Sequence, residues 1–321
     1  MLRYTVMRIL WLIPILLCVT FIVYGLMDLA PGTVADSKIT ENMTQEDIDR
    51  LYASYDLDKP MIYRYGKFML GVLRGDLGNS QVTGLPVAQQ FFSKFPNTLA
   101  LSFLSIIIAS LISIPLGIFN AKHAGTIWDN LVTALTTVGM SMPSFWLGLM
   151  LLIWFAGGNL RIFPAAFDGT WKSYVLPVVA NGVAMSCTTT RQTRSSILEV
   201  SRADFLRTAR AKGVPERQVM TRHELSNAWI PIITQLGMLL GITLAGSAVI
   251  ESVYSWPGVG NLMVEAISRR DSTMACGCVI LTATLYTLVL LVVDLIYAFV
   301  DPRVKAAYAS KSKKKKKVKA A

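Results

Sequence analysis

Arg202, Asp204, Arg207 and Arg210 crowd a stretch of strong helix formers, Phe205 to Lys212, and Gly213-Val214-Pro215 follows as a stop and a restart. Ser201-Arg202-Ala203-Asp204 reads as the start of that helix. A helix only about 15 Å long, studded with guanidinium groups, suits docking in a groove of another protein. Bond-making chemistry is harder to find. There is no Gly-x-x-x-x-Gly-Lys-Ser/Thr phosphate loop, no His-Glu-x-x-His and no Gly-x-Ser-x-Gly. The two histidines, His123 and His223, fall in segments read below as cytoplasmic, which argues against a His-lined metal pathway. Cys18, Cys187, Cys276 and Cys278 read as packing residues, because Cys276 and Cys278 are too close for an ordinary bridge and lack a second pair of metal ligands. No catalytic, cofactor-binding or metal-binding residue is assigned, and the chain is read as a non-enzyme.

The elements that must present the arginine-rich stretch are set by composition. Of 321 residues, 53% are hydrophobic and 16% charged, which excludes ordinary soluble enzymes, disordered chains and disulfide scaffolds. Six uncharged apolar gaps, at 9–27, 95–121, 130–160, 173–190, 225–250 and 272–293, are each long enough to cross a bilayer as a helix. The expected fold is an all-α polytopic membrane protein with six transmembrane helices. Placing both termini in the cytoplasm puts twenty basic residues inside and eleven, roughly balanced by acids, outside. The net charge of +11 is therefore topological, and nucleic-acid binding is an unneeded explanation.

The expected organisation is a first transmembrane helix at 1–31, an extracytoplasmic amphipathic segment at 32–94, a five-helix core at 95–304 with a cytoplasmic loop at 191–224, and a polybasic tail at 305–321. Two arginines precede the first apolar run, which is too long for a signal peptide and reads as an uncleaved helix. Within 32–94, Thr44 and Asp47 suggest a capping box ahead of a face made by Ile48, Leu51 and Tyr55. Pro60 opens a second helix with Ile62, Tyr65, Phe68, Met69 and Val72 on its apolar side. This small cap is expected against the outer membrane surface or a partner. Seven lysines in Lys311 to Lys319 read as a solvated tail, with attraction to anionic membrane lipid as the sharper alternative.

Asp294 is an intramembrane charge, for which pairing with Arg191 or Arg194 is favoured over substrate or proton coupling. Gly117, Gly139, Gly148, Gly237, Gly241 and Gly246 are read as packing sites first and pore lining second. Tyr254 and Trp256, in a turn-rich stretch after the fifth gap, would ordinarily be interfacial anchors.

Arg207-Thr208-Ala209-Arg210-Ala211-Lys212-Gly213, with Glu199 and Asp204 before it, resembles the coupling loop of ABC importer permeases, in the version of the oligopeptide, dipeptide and nickel permease family. The resemblance spans nearly the whole chain. It includes Asp58-Lys59-Pro60, Gly75-Asp76-Leu77-Gly78-Asn79-Ser80, Phe95-Pro96-Asn97-Thr98-Leu99, Pro143-Ser144-Phe145-Trp146-Leu147-Gly148, Glu251 through Leu262, and Asp301-Pro302-Arg303. In the wider superfamily the loop begins Glu-Ala-Ala, whereas only Ala209 and Gly213 match here, so no single carboxylate contact to an ATPase is implied. The stretch Leu29-Ala30-Pro31-Gly32-Thr33-Val34 also lacks the Asp-Pro that usually follows Pro-Gly.

What the resemblance implies is a permease subunit in the cytoplasmic (inner) membrane of a prokaryote, importing peptides. Its implied partners are a homologous second permease, two cytoplasmic ATPase subunits carrying ATP and Mg, and an extracytoplasmic solute-binding protein. Asp204, Arg207, Thr208, Ala209, Arg210 and Gly213 would couple to the ATPase. Tyr254, Trp256, Pro257 and Gly258 would form a re-entrant or outer gate. The same pattern serves nickel, metal-chelate, opine and glutathione-like cargo. A membrane-embedded enzyme or an ATP-independent carrier is the alternative from a different class.

Overall fold

A computed structural model describes residues 2–300 apart from 158–160 and 246, with the side chains of 2–5, 8, 9, 37 and 294–300 outside that description. The lysine tail and Asp301-Pro302-Arg303 therefore lie outside the described residues, as does the side chain of Asp294. In chain order the helices are α1 (Leu2–Leu29), α2 (Gln45–Ser54), α3 (Met61–Leu73), α4 (Val87–Lys122), α5 (Ile127–Ser141) and α6 (Ser144–Leu152). They continue with α7 (Lys172–Ser201), α8 (Asp204–Ala211), α9 (Glu216–Gln218), α10 (Leu225–Leu244), α11 (Ala248–Val253), α12 (Val259–Ser268) and α13 (Ser272–Val300). Among the described residues there is no strand, only an isolated bridge between Asn79 and Pro86.

Among the described residues, four stretches are long and apolar enough to cross a bilayer: Leu10–Leu29, Val87–Lys122, Glu216–Leu244 and Ser272–Val293. A fifth is available if α5 and the following Ser144–Gly157 are one crossing, but they meet at 91°. The bend falls at Met142-Pro143, both extended, because a residue before proline is driven out of the helical region and proline cannot continue the ladder. The expected straight crossing over 130–160 is thus broken. The expected fourth crossing, at 173–190, is helical within the 30-residue α7, but its serines and threonines make it too polar to count. Helix α4 also begins at Val87, earlier than the apolar run that suggested it, since Lys94 interrupts the uncharged stretch without interrupting the helix.

The chain divides into two compact units. One comprises 100–243 and 287 onward, the other 2–99 and 244–286. In the first, α7 is the buried centre. Ser186, Thr189, Thr190, Thr193 and Ser196 are all 4% exposed or less. Such hydroxyls would be costly at membrane depth without partners. Several bond back along their own helix, as Thr190 Oγ1 does to the Ser186 carbonyl at 2.7 Å and Thr189 Oγ1 to Met185 at 3.0 Å. Neighbouring helices approach α7 through missing side chains. A Cβ on Gly117 would lie 2.5 Å from Thr193 Cβ, and one on Gly139 would lie 2.5 Å from Cys187 Sγ. Gly237 likewise lets Val293 close, where a Cβ would meet Val293 Cγ at 2.6 Å. These glycines serve close helix packing.

In the second unit a core of Met27, Val87, Phe91, Val259, Ala266, Met274 and Cys278 joins segments far apart in the chain. The capping box at α2 forms as expected, with the Asp47 amide donating to Thr44 Oγ1 at 3.4 Å and the Thr44 amide to Asp47 Oδ2 at 3.2 Å. Helix α3 leans on α1 through Tyr65, whose ring meets Phe21 at 5.3 Å and Tyr24 at 5.7 Å. Arg64 pairs with Asp28 beside them. Ile62, expected on the packed side, is 74% exposed, because Met61 rather than Ile62 reaches Gly25 on α1. Cys18 is exposed while Cys187, Cys276 and Cys278 are buried, so three of the four cysteines pack and one does not.

Candidate functional site

The 202–225 loop is held by its own sequence. Helix α8 ends in a Schellman turn: the Gly213 amide donates to the Arg210 carbonyl at 3.0 Å and the Val214 amide to the Ala209 carbonyl at 3.3 Å. Gly213 sits at φ +76°, a left-handed conformation that side chains resist. Pro215 follows and caps α9, and a π-helical turn, Val219–Glu224, leads into α10. Leu206 is the buried anchor of α8. Asp204 (98% exposed side chain) and Arg207 (82%) face solvent 4.0 Å apart. Thr208 is exposed, its hydroxyl 3.3 Å from the Asp204 carbonyl, and Ala209 is half-buried.

Arg210 turns back into the loop. Its Nε and Nη2 grip Glu216 at 3.1 and 2.7 Å, and Nη2 also reaches the buried Glu224 at 3.1 Å. The fork geometry of guanidinium makes this a brace between α8 and the helix that follows. The six residues expected to couple are therefore gathered on one element in two postures. Asp204, Arg207 and Thr208 are presented outward, while Arg210 and Gly213 shape the element.

A second constellation lies in the other unit, around the loop between α11 and α12. Glu251 is fully buried. Its Oε1 accepts from the Thr98 hydroxyl at 2.8 Å and its Oε2 from the Asn261 amide at 2.9 Å. Thr98 Oγ1 in turn accepts from the Val259 amide at 2.8 Å. Asn97 Nδ2 donates to the Pro257 carbonyl at 2.9 Å, and Trp256 Nε1 donates to the Asn97 carbonyl at 3.2 Å. Burial pushes the Glu251 carboxyl above the ordinary glutamate range, opposed by the Asn261, Thr98 and Gly260 donors. Gly258 has extended backbone and is needed for space, since a Cβ there would lie 2.4 Å from Glu251 Oε2 and 2.5 Å from Thr98 Oγ1.

The four residues expected as an outer gate belong to this lock. Tyr254 and Trp256 are 2% and 0% exposed, so neither ring is an interfacial anchor. Asn97, Thr98, Glu251 and Asn261 carry the lock, although their sequence signal was only that two quoted motifs held polar residues beside apolar runs. A similar clasp fixes Gly75–Ser80: Asp271 caps α13 through the Met274 amide at 2.9 Å and accepts from the Ser80 hydroxyl and the Val82 amide. Another unforeseen pair is Asp129 with Arg194, a two-pronged contact at 2.7 and 2.6 Å. Arg194 is thereby held by Asp129 on α5.

The sequence matches two family descriptions that together cover most of it: a binding-protein-dependent transport system inner membrane component over residues 113–306, and the corresponding N-terminal membrane component over 1–102. It is 34% identical over 314 residues to the oligopeptide transport system permease protein AppB of Bacillus subtilis (strain 168), covering 95% of this chain and 99% of that one. It is 36% identical over 305 residues to the glutathione transport system permease protein GsiC of Salmonella paratyphi A, with 95% and 99% covered. The dipeptide transport system permease protein DppB of Alkalihalophilus pseudofirmus is 34% identical over 332 residues, with 95% and 100% covered. The fold is also that of a solved structure of inward-facing MetNI methionine ABC transporter, at TM-score 0.55 and 18% identity, covering 67% of this chain and 97% of that one. The chain belongs to the binding-protein-dependent transport system inner membrane component family, the permease subunits of ABC importers.

Proposed function

We propose that this chain is one of two permease subunits of an ATP-driven importer of peptides in a prokaryotic cytoplasmic membrane. In this reading the chain crosses the membrane six times with both ends inside. The broken α5–α6 pair supplies the third crossing and the hydroxyl-rich α7 the fourth, shielded from lipid by its neighbours. A homologous second permease completes the pathway, and an extracytoplasmic protein delivers cargo. ATP and Mg are bound by two partner ATPases, so energy reaches this chain through contact. Peptides are the cargo class because the relatives' names run through oligopeptide, dipeptide and glutathione.

The observation that carries the coupling role is the construction of the 202–225 loop. A lever must be stiff inside and open outside. The Schellman turn at Gly213 and the Arg210 brace to Glu216 and Glu224 supply stiffness, while Asp204, Arg207 and Thr208 offer polar groups to an ATPase surface. Closure of the ATPases on ATP would push α8, and through the brace α10, tilting the bundle between inward and outward access. The 251–261 loop, locked by Glu251 and Thr98, would move as one piece at the outer mouth, with Tyr254, Trp256, Pro257 and Gly258 as its rigid core.

The test is Gly213→Val against Gly213→Asn in the reconstituted transporter, because asparagine tolerates the left-handed conformation and valine does not. The expected result is near-normal uptake for asparagine, and for valine a loss of ATP-driven uptake with permease assembly retained. Normal transport by Gly213→Val would contradict the coupling role.

A further inference from the structure

We infer that Arg191 binds the C-terminal carboxylate of a peptide in transit, in a polar cavity of the unit containing 100–243. This rests on the peptide-import reading above. The cavity is about 510 Å³ and opens beside α7, with Arg191, Thr188 and Gln192 on that helix, Thr133 and Met140 on α5, and Gln235 on α10. That volume lies in the range that accommodates small organic ligands.

The lining holds two cations, Arg191 and Arg194, and they are not equivalent. Arg194 is gripped by Asp129 through both prongs and is electrically cancelled. Arg191 has no carboxylate within ion-pair reach among the described residues. Its side-chain contact is Nη1 to Met140 Sδ at 3.4 Å, and a thioether is a weak acceptor for a group with five N–H donors. Among the described residues no lining residue is acidic, so the described lining carries one net positive charge. It sits ten residues before Ser201, about 15 Å up the helix from its end.

A carboxylate fits this charge best, because its two coplanar oxygens match the guanidinium fork. Thr188 and Ser195 fall on the same side of α7 as Arg191 by helical spacing, and Gln192 also lines the cavity, so neutral donors and acceptors surround the guanidinium. The choice also makes chemical sense for a carrier of varied cargo. Every linear peptide ends in one carboxylate whatever its side chains, so a single fixed cation recognises the class without reading sequence.

The experiment uses the full transporter in proteoliposomes, with both permeases, the ATPases and the binding protein, and labelled trialanine as the free acid or the C-terminal amide. Arg191→Gln is expected to cut maximal uptake of the acid about tenfold, the scale of one lost charge-assisted pair. The concentration of loaded binding protein giving half-maximal uptake is expected to stay unchanged, and the acid-to-amide uptake ratio to fall toward one. Arg191→Lys is expected to recover part of the acid uptake. An unchanged acid-to-amide ratio in Arg191→Gln would overturn the inference. So would equal loss of both cargoes together with loss of the second permease on co-purification, since Arg191 would then brace the subunits. Wild-type assemblies that take up neither peptide would overturn the peptide reading itself, and the inference with it.

Discussion

The 202–225 loop and the Glu251 lock are both rigid, and they reach rigidity in opposite ways. The loop is tied by partners close in sequence: Arg210 bonds residues 6 and 14 positions away, and its turn closes over a few residues. Asp204, Arg207 and Thr208 on it face outward. The lock is tied across 153 to 161 positions, from Thr98 to Glu251 and Val259, and its side chains face inward. A surface meant to meet a partner must be stiff without help from distant segments, whereas a piece meant to hold its own shape can hide its bonds. The two should therefore fail differently, one in function and the other in folding.

The largest expected effect is at the lock. Glu251→Ala orphans the Asn261 amide and the Thr98 hydroxyl, each costing about 1–3 kcal/mol when buried without a partner. A thermal-shift measurement on the solubilised permease pair should show the greatest drop for this variant. Next comes Thr98→Val, which keeps the volume but strips Glu251 Oε1 and the Val259 amide of their shared partner, again about 1–3 kcal/mol for each orphan. If the two changes combined cost no more than the larger alone, the lock is one cooperative unit; full additivity would show two independent contacts.

A pH series sharpens the same point. Because burial raises the folded pKa of Glu251 above the unfolded one, the folded state keeps this proton to higher pH. The stability this group contributes is complete below the ordinary glutamate value and is lost as pH rises through the raised one. Melting temperature should therefore slope downward as pH rises above the ordinary glutamate range in the wild type and more weakly in Glu251→Gln. An identical slope in both would remove Glu251 as the source.

The smallest expected effect on stability is at the loop. Arg207→Ala should change the melting temperature little, since an exposed pair at 4.0 Å contributes about 0–1 kcal/mol. It should nevertheless weaken retention of the ATPase on affinity purification. A variant that lowers melting but leaves ATPase retention untouched would reverse the contrast between the two regions.

How much of this was legible in the sequence follows the same division. Gly213-Val214-Pro215 announces its turn because the constraint is local, and Thr44 with Asp47 announces a capping box for the same reason. Charge-free runs located the apolar helices but not their limits, since Lys94 lies within α4 and the 91° bend lies within an unbroken apolar run. Pro143 was the available signal for that bend. The polar centre of α7 was hidden because a hydroxyl bonded to its own helix looks, letter by letter, like an exposed one. Glu251, Thr98 and Asn261 could be named only as parts of separate motifs; nothing in either stretch says that the other will lie 2.8 Å away.

The central claim, that α8 is the seat of a partner ATPase, is tested most directly by a thiol-attached photo-cross-linker on Arg207→Cys in the purified transporter, with Leu73→Cys on the exposed face of α3 as control. The account predicts an adduct with the ATPase subunit from position 207 and none from position 73. An intact, transport-competent complex that yields no ATPase adduct from position 207 would contradict it.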